Sequence, residues 1–200
     1  MSSWEIIVAN FRAMSPWEVW GAITGLISVW LTVKQNVWCW PIGIANVLCW
    51  IVMFTQAKLY ADVGLQAVYF VLSIYGWWAW LNPGAGKIEL PVRRFPLWAW
   101  LPTLALQIAG TAALGGYLST TDAAFPWVDS GTTVASLIAQ WMLTKKILEN
   151  WAIWIVADVV MIVMYAMKGL WLTSAIYVVF LVMCVQGHRE WTRSPAPNSP

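Results

Sequence analysis

The sequence predicts an all-α integral membrane protein with seven transmembrane helices. Its 200 residues are 60% hydrophobic and only 10% charged, whereas soluble domains carry about 25% charged residues. The 18 tryptophans suit a chain that meets two bilayer interfaces, where indole rings concentrate. The chain also contains an internal repeat, because Trp30 and Lys34 recur about 111 residues later as Trp141 and Lys145.

Seven apolar runs approach the length of about 20 residues that a membrane-spanning helix needs. They cover residues 17–33, 38–55, 63–81, 96–116, 127–144, 151–167 and 170–187. Residues 1–16 place Trp4 and Phe11 on a roughly helical period and predict an interfacial helix instead of a span. The Pro- and Ser-rich residues 192–200 predict a disordered tail. The N-terminus has no signal-peptide pattern, so we expect no cleaved leader.

The basic residues fall mainly on one side of the predicted membrane. Of the 11 Lys and Arg residues, three are predicted on the N-terminal side: Arg12, Lys58 and Lys168. The other eight are Lys34, Lys87, Arg93, Arg94, Lys145, Lys146, Arg189 and Arg193. Because basic loops stay in the cytoplasm, the count predicts an external N-terminus and a cytoplasmic C-terminus.

The repeat divides the chain into two three-helix units, 17–81 and 127–191, joined by a loop and fourth helix at 82–126. An odd number of spans would invert the second unit, so the fourth helix restores its orientation. This 3+1+3 parallel arrangement resembles the SWEET transporters. Such proteins place the ligand between the repeats near mid-membrane, which favours a transport function.

Polar residues in the middle of predicted spans are the first candidates for ligand contacts. Asp158 lies midway along the sixth span, where a carboxylate costs at least about 2.5 kcal/mol. The repeat predicts that the offset slips by one residue here, so that Ala157-Asp158-Val159 faces Ala45-Asn46-Val47 and Asn46 is the counterpart of Asp158. Both would then share one cavity. The alternative is that each only bonds a neighbouring helix.

Further candidates share helical stripes with these two residues. Trp151 and Trp154 precede Asp158 at i, i+3, i+7 spacing, and Trp50 follows Asn46 by one turn. The remaining candidates are Gln66, Tyr69, Gln140 and Tyr177. Indole faces with a few amide and carboxylate groups suit a flat aromatic ligand that bears a polar sugar or alcohol, and aromatic faces also attract cations. Trp80 and its neighbours at the end of the third span are assigned to the interfacial belt.

Several function classes are excluded. The cysteines lack metal-ligand spacing, His188 is the single histidine, and the net charge is only +2. We therefore predict no enzyme, no metal or cofactor site and no nucleic-acid partner. A membrane-embedded enzyme would need clustered His, Cys or carboxylates, and a purely structural assembly protein would not need paired polar groups at mid-depth.

The run 145–158 contains Trp151, Trp154 and Asp158 and resembles the Trp-x-x-Trp-x-x-x-(Asn/Asp) signature of the PnuC family. Residues 59–62, 75–80 and 187–191 also resemble stretches of that family. The resemblance extends from the first span to Trp191. In the first repeat, on the shifted alignment, Cys39 and Ile42 stand where the two tryptophans would be.

The resemblance implies a bacterial inner-membrane importer of nicotinamide riboside, a small-molecule precursor of NAD. It implies facilitated diffusion, trapping of the substrate by a cytoplasmic kinase, and a homotrimer with one pathway in each protomer. Trp151, Trp154 and Asp158 would be signature residues of the binding site. A thiamine or other vitamin carrier of the same family is the alternative, as is proton-coupled uptake through Asp158.

Overall fold

The computed structural model describes residues 15–84 and 89–194. Within that part of the chain it contains α1 (Pro16–Val33), α2 (Cys39–Gln56), α3 (Tyr60–Leu81), α4 (Leu97–Leu118), α5 (Pro126–Thr144), α6 (Asn150–Met167) and α7 (Trp171–Thr192). The all-α prediction is confirmed, and each predicted span coincides with one helix. Residues 1–14 of the predicted interfacial helix and residues 195–200 of the predicted tail lie outside the described residues, and α1 begins at Pro16.

Four of these helices, α2, α4, α6 and α7, are long and apolar enough to cross a membrane by length and composition alone. Tyrosine, tryptophan and small or hydroxyl residues lower the hydropathy of the other three. Such residues are common at bilayer interfaces and at helix–helix contacts inside the membrane. Aromatic and small residues therefore carry much of the packing in this bundle.

Six helices form a closed ring. The main packing contacts run from α1 to α2, α3, α5, α6 and α7 and back to α1, while α4 packs outside the ring against α5. The third helix of each repeat thus packs against the first helix of the other repeat. This order is what two like repeats around a twofold axis produce. It leaves a space enclosed by all six helices.

Matching helix ends fix the register of the repeat. After α1 and α5 the chain turns through Gln35 and Lys146, and both residues have a positive φ, 54° and 50°. The same ending recurs after α2 and α6, at Lys58 and Gly169. In all four turns the next residue donates its N–H to a carbonyl five residues earlier, which is the Schellman motif. Each pair is 111 residues apart, as are the first residues of α2 and α6.

The predicted one-residue slip between α2 and α6 is therefore wrong. Both helices contain 18 residues and their ends keep one offset, so the structural counterpart of Asp158 is Val47 and that of Trp151 is Trp40. Asn46 corresponds to Ala157 instead. The slip aligned two polar residues because they are chemically similar. The equivalent positions in the two helices do not have similar side chains.

We call the membrane side at which α1, α3, α5 and α7 end the basic face. Lys34 lies there and forms an ion pair of 2.7 Å with Glu190. The loop before α4 is fixed to the turn after α5, because Arg93 exchanges backbone hydrogen bonds of 2.9 Å with Lys146 and Leu148. At this face the turn after α1 is thus held against α7, and the linker loop is held against the turn after α5.

Candidate functional site

A cavity of about 230 Å³ lies inside the helix ring. Every ring helix contributes to its wall, and α4 does not. The lining residues are Ser28, Val29, Thr32, Cys39, Trp40, Gly43, Ser73, Gln140, Leu143, Asn150, Trp151, Trp154, Asp158, Tyr177, Phe180 and Cys184. Ligand pockets usually measure about 300–1,000 Å³, so this cavity suits a small ligand.

The wall is asymmetric although the backbone repeats. On α6, Asn150, Trp154 and Asp158 face the cavity, and their counterparts in α2 are Cys39, Gly43 and Val47. On α5 the amide of Gln140 corresponds to Val29 of α1. The second repeat thus supplies the amides, the carboxylate and most of the rings, whereas the first supplies Trp40, three hydroxyl groups and otherwise small or apolar groups. A ligand here would place most of its polar groups toward α5 and α6.

Four polar side-chain atoms on this wall are buried without a hydrogen-bond partner. They are Nε1 of Trp40 and Trp151, Oδ1 of Asn150 and Oδ2 of Asp158. Across residues 15–84 and 89–194, His188 Nδ1 is the one other such atom. Leaving a buried polar group unpaired costs about 1–3 kcal/mol. Residues that carry two such donors and two such acceptors line one cavity, which favours a ligand with both acceptors and donors.

Asp158 sets the electrostatics of the cavity. It is 4% exposed, and of the lining residues that the structure describes it alone is an Asp, Glu, Lys or Arg. Cys184 lies within hydrogen-bonding reach of the carboxylate, and Tyr177 is close by. A carboxylate in such surroundings is most stable beside a cation. The site thus favours a positively charged ligand.

Five of the nine residues predicted for the site lie on this wall: Gln140, Trp151, Trp154, Asp158 and Tyr177. Tyr177 also packs against Phe180, with ring centroids 5.8 Å apart. The structure brings these residues together. Their contact with a ligand stays a prediction.

The other four predicted residues do not line the cavity. Asn46 donates a hydrogen bond of 2.5 Å from Nδ2 to the carbonyl of Gly21 in α1, so it joins two helices. Trp50 stacks on Phe54 at 5.7 Å. Gln66 and Tyr69 are half-buried in α3, and Tyr69 is next to Ser136 of α5. The predicted shared cavity of Asn46 and Asp158 is therefore wrong.

Eleven of the sixteen lining residues are not among the nine predicted site residues, and two of the eleven, Asn150 and Trp40, carry buried polar atoms without a partner. Asn150 lies on the stripe of Trp154 and Asp158 at i, i+4, i+8 spacing, which the helical period alone would have indicated. Trp40 is the counterpart of Trp151 at the offset of 111 residues, and the assumed slip concealed it. A constant repeat offset would have found Trp40 without a structure.

Comparison with known proteins gives one family. The model of the family described as nicotinamide mononucleotide transporter matches residues 15–193. The nicotinamide riboside transporter PnuC of Escherichia coli (strain K12) is 28% identical over 203 aligned residues, which cover 88% of this chain and 85% of that protein. The riboflavin/roseoflavin transporter RibM of Streptomyces davaonensis is 27% identical, over 86% of this chain and 82% of its own length.

The fold has a solved counterpart. The crystal structure of the vitamin B3 transporter PnuC superimposes on 94% of this chain and 85% of its own, with a TM-score of 0.73 and 25% sequence identity. The agreement therefore extends over nearly the whole chain.

Proposed function

The chain belongs to the nicotinamide mononucleotide transporter family, and we propose that it carries nicotinamide riboside across the bacterial inner membrane. It is a multi-pass transporter of the PnuC type and not an enzyme. The observation that carries the choice of substrate is the wall of unpartnered polar atoms around one carboxylate. Nicotinamide riboside matches it, because it combines a cationic aromatic ring with a carboxamide and ribose hydroxyls.

In the proposed complex the pyridinium ring lies against the indole of Trp154 and near Asp158. Trp151 and Trp40 donate from Nε1 to ribose or carboxamide oxygens, while Asn150 Oδ1 accepts from a hydroxyl or amide group. Gln140 is available for either role. Cation–π attraction contributes about 0.5–2 kcal/mol. The charge of the carboxylate compensates for the hydration that the cation loses when it enters the cavity.

Charge distinguishes the riboside from its phosphorylated form. A phosphate adds between one and two negative charges at neutral pH, and these would lie in a cavity whose charged residue is Asp158. The riboside is therefore the substrate in this proposal, despite the mononucleotide in the family's description. Phosphorylation by a cytoplasmic kinase would trap the imported vitamin, so facilitated diffusion suffices for accumulation.

A calorimetric titration of the purified protein tests the substrate. We expect nicotinamide riboside to bind more tightly than thiamine, riboflavin or nicotinamide mononucleotide. Trp154→Ala should weaken its binding at least about tenfold, since it removes the stacking surface. Trp141→Ala is the matched control, because Trp141 lies outside the cavity and is 43% exposed. Tighter binding of thiamine or riboflavin would instead select the alternative vitamin.

Transport of a cation without a coupling ion predicts a response to membrane potential. A potential of 100 mV is worth about 2.3 kcal/mol for each charge, so an inside-negative potential should raise the plateau of riboside uptake into proteoliposomes by up to about fiftyfold. A proton gradient without potential should leave the plateau unchanged. Uptake that follows the proton gradient would favour the alternative, in which Asp158 couples protons to transport.

The proposal includes the topology and the assembly implied by the family resemblance. The basic face, with Lys34 and Lys145, is assigned to the cytoplasm by the positive-inside rule, and the N-terminus then lies outside. Three copies would form a homotrimer, each with its own cavity. Native mass spectrometry of the detergent-solubilised protein measures the copy number directly.

A further inference from the structure

A layer of tryptophans lies between the cavity and the basic face. Trp80 and Trp191 occupy the last turns of α3 and α7, about 10 Å beyond the cavity residues Ser73 and Cys184 by helical rise. Their indoles are 7% and 1% exposed. They pack on each other with ring centroids 6.1 Å apart. Trp80 is thus a buried residue, so its predicted place in the interfacial belt is wrong.

The layer extends to the two tryptophans of the cavity wall. Trp40 meets Trp80 edge to face at 5.4 Å, and Trp151 meets Trp191 edge to face at 5.3 Å. The rings of Trp40 and Trp151 are each 2% exposed. Four indoles therefore form one continuous floor, to which each repeat contributes two. A solute leaving the cavity toward the basic face has to displace this floor.

Two hydrogen bonds tie the floor across the boundary between the repeats. Trp80 of the first repeat donates from Nε1 to the carbonyl of Leu143 at 3.3 Å. Trp191 of the second repeat donates to the carbonyl of Thr32 at 3.2 Å. Donors and acceptors are both related by the offset of 111 residues, so the bonds are equivalent under the repeat. Each joins the third helix of one repeat to the first helix of the other.

A buried cation reinforces one side of the floor. Lys146 is 2% exposed, and its Nζ lies 4.4 Å from the centroid of a Trp80 ring. It also donates to Oε1 of Gln35, its repeat counterpart, at 3.1 Å. Burial lowers the pKa of Lys146, and the charge of Glu89 partly opposes this effect. Lys146 therefore holds the turns of both repeats against the indole layer.

From this geometry we infer that Trp40, Trp80, Trp151 and Trp191 form the closed gate of the pathway at the basic face. The gate opens when the two repeats separate and the indole hydrogen bonds of Trp80 and Trp191 break together. The two bonds cross the two equivalent interfaces between the repeats, α3–α5 and α1–α7, so separation of the repeats opens the gate as a unit. Trp40 and Trp151 belong to both the wall and the floor, so a ligand that contacts them acts directly on the gate.

The native cysteines of the cavity report the state of this gate. Cys39 and Cys184 line the cavity and are 3% and 4% exposed, while Cys49 is half-buried and outside the cavity wall. A membrane-impermeant maleimide is added to proteoliposomes from one side, and labelling of each cysteine is followed by mass spectrometry. No ligand is needed, so the result does not depend on the proposed substrate.

Trp80→Phe and Trp191→Phe keep a ring in place but remove the N–H donor. Loss of one net hydrogen bond of about 1 kcal/mol changes an equilibrium roughly fivefold, so each variant should speed labelling of Cys39 and Cys184 about fivefold from the basic face. The double variant should reach roughly twenty-five-fold, because the two losses multiply. Trp78→Phe is the matched control in the same helix, since Trp78 is 59% exposed and outside the floor.

Three results would overturn the gate. The first is labelling in the double variant at the rate of the unsubstituted protein. The second is acceleration only from the face opposite the basic one. The third is equal acceleration at Cys49 with a lower melting temperature, because general loosening of the bundle would then explain the access.

Discussion

Replacing Asp158 with Asn is expected to weaken binding of nicotinamide riboside by at least about thirtyfold. The substitution keeps the shape of the side chain and removes its charge, and loss of one partner of a buried charge pair costs about 2–5 kcal/mol. Asp158 is 4% exposed and Oδ2 has no hydrogen-bond partner among residues 15–84 and 89–194, so water offers little compensation. Calorimetry on the two proteins measures the difference.

Binding of the reduced riboside tests whether the site recognises the charge of the ligand or only its shape. Its dihydropyridine ring is neutral but almost the same size as the pyridinium, so the unsubstituted protein should prefer the oxidised form. Asp158→Asn should reduce that preference, whereas Trp154→Phe should keep most of it because the carboxylate remains. Equal affinity of the unsubstituted protein for both forms would contradict a charge-selective site.

A second substitution distinguishes the arrangement in the structure from the one predicted by the sequence. Asn46→Ala removes a hydrogen bond between α1 and α2 and should change riboside affinity less than about threefold. If Asn46 and Asp158 shared one cavity, both variants would lose binding to a similar extent. The structure predicts unequal losses, since Val47 is the counterpart of Asp158.

The fold was predictable because its signals are additive along the chain. Low charge, seven apolar runs and a two-part repeat each depend on many residues, and no single misassignment changes them. The face that each helix turns inward depends instead on which helices are neighbours. Trp80 and Trp78 are two residues apart in α3, yet one is 7% and the other 59% exposed. Composition assigned both to the membrane interface.

Site residues were predictable only where tryptophans and a charged residue lie together on one face of a predicted membrane helix. Trp151, Trp154 and Asp158 form such a stripe, and the structure places all three on the cavity wall. The first repeat gave no comparable signal, because Cys39 and Gly43 contribute to the wall by being small. Pairing Asn46 with Asp158 assumed that repeats conserve polarity. The structure shows that these repeats conserve close packing of glycine against tryptophan instead.

That packing predicts a large loss of stability from small changes. A Cβ at Gly187 would lie 2.5 Å from the ring of Trp151, and a Cβ at Gly76 would overlap the ring of Trp40. Both rings are enclosed and can move only if the floor repacks. Gly76→Ala and Gly187→Ala should each lower the free energy of unfolding by about 1–3 kcal/mol, as overpacking usually does.

Gly64→Ala in α3 is the control for Gly76→Ala. A Cβ at Gly64 meets no atom within 4 Å, so Ala should leave stability unchanged or raise it by up to about 1 kcal/mol through helix propensity. Thermal unfolding in detergent compares the two. Equal melting temperatures for Gly76→Ala and Gly64→Ala would show that Trp40 is not packed on α3.

Riboside affinity then separates the roles of the two repeats. Gly187→Ala displaces Trp151, which adjoins Asn150 and Trp154 on the polar side of the cavity, whereas Gly76→Ala displaces Trp40 beside Cys39 and Gly43. Similar losses of stability with a larger loss of affinity for Gly187→Ala would assign the ligand mainly to the second repeat. Equal losses of affinity would instead require both repeats to hold the ligand to the same degree, contrary to the asymmetric wall.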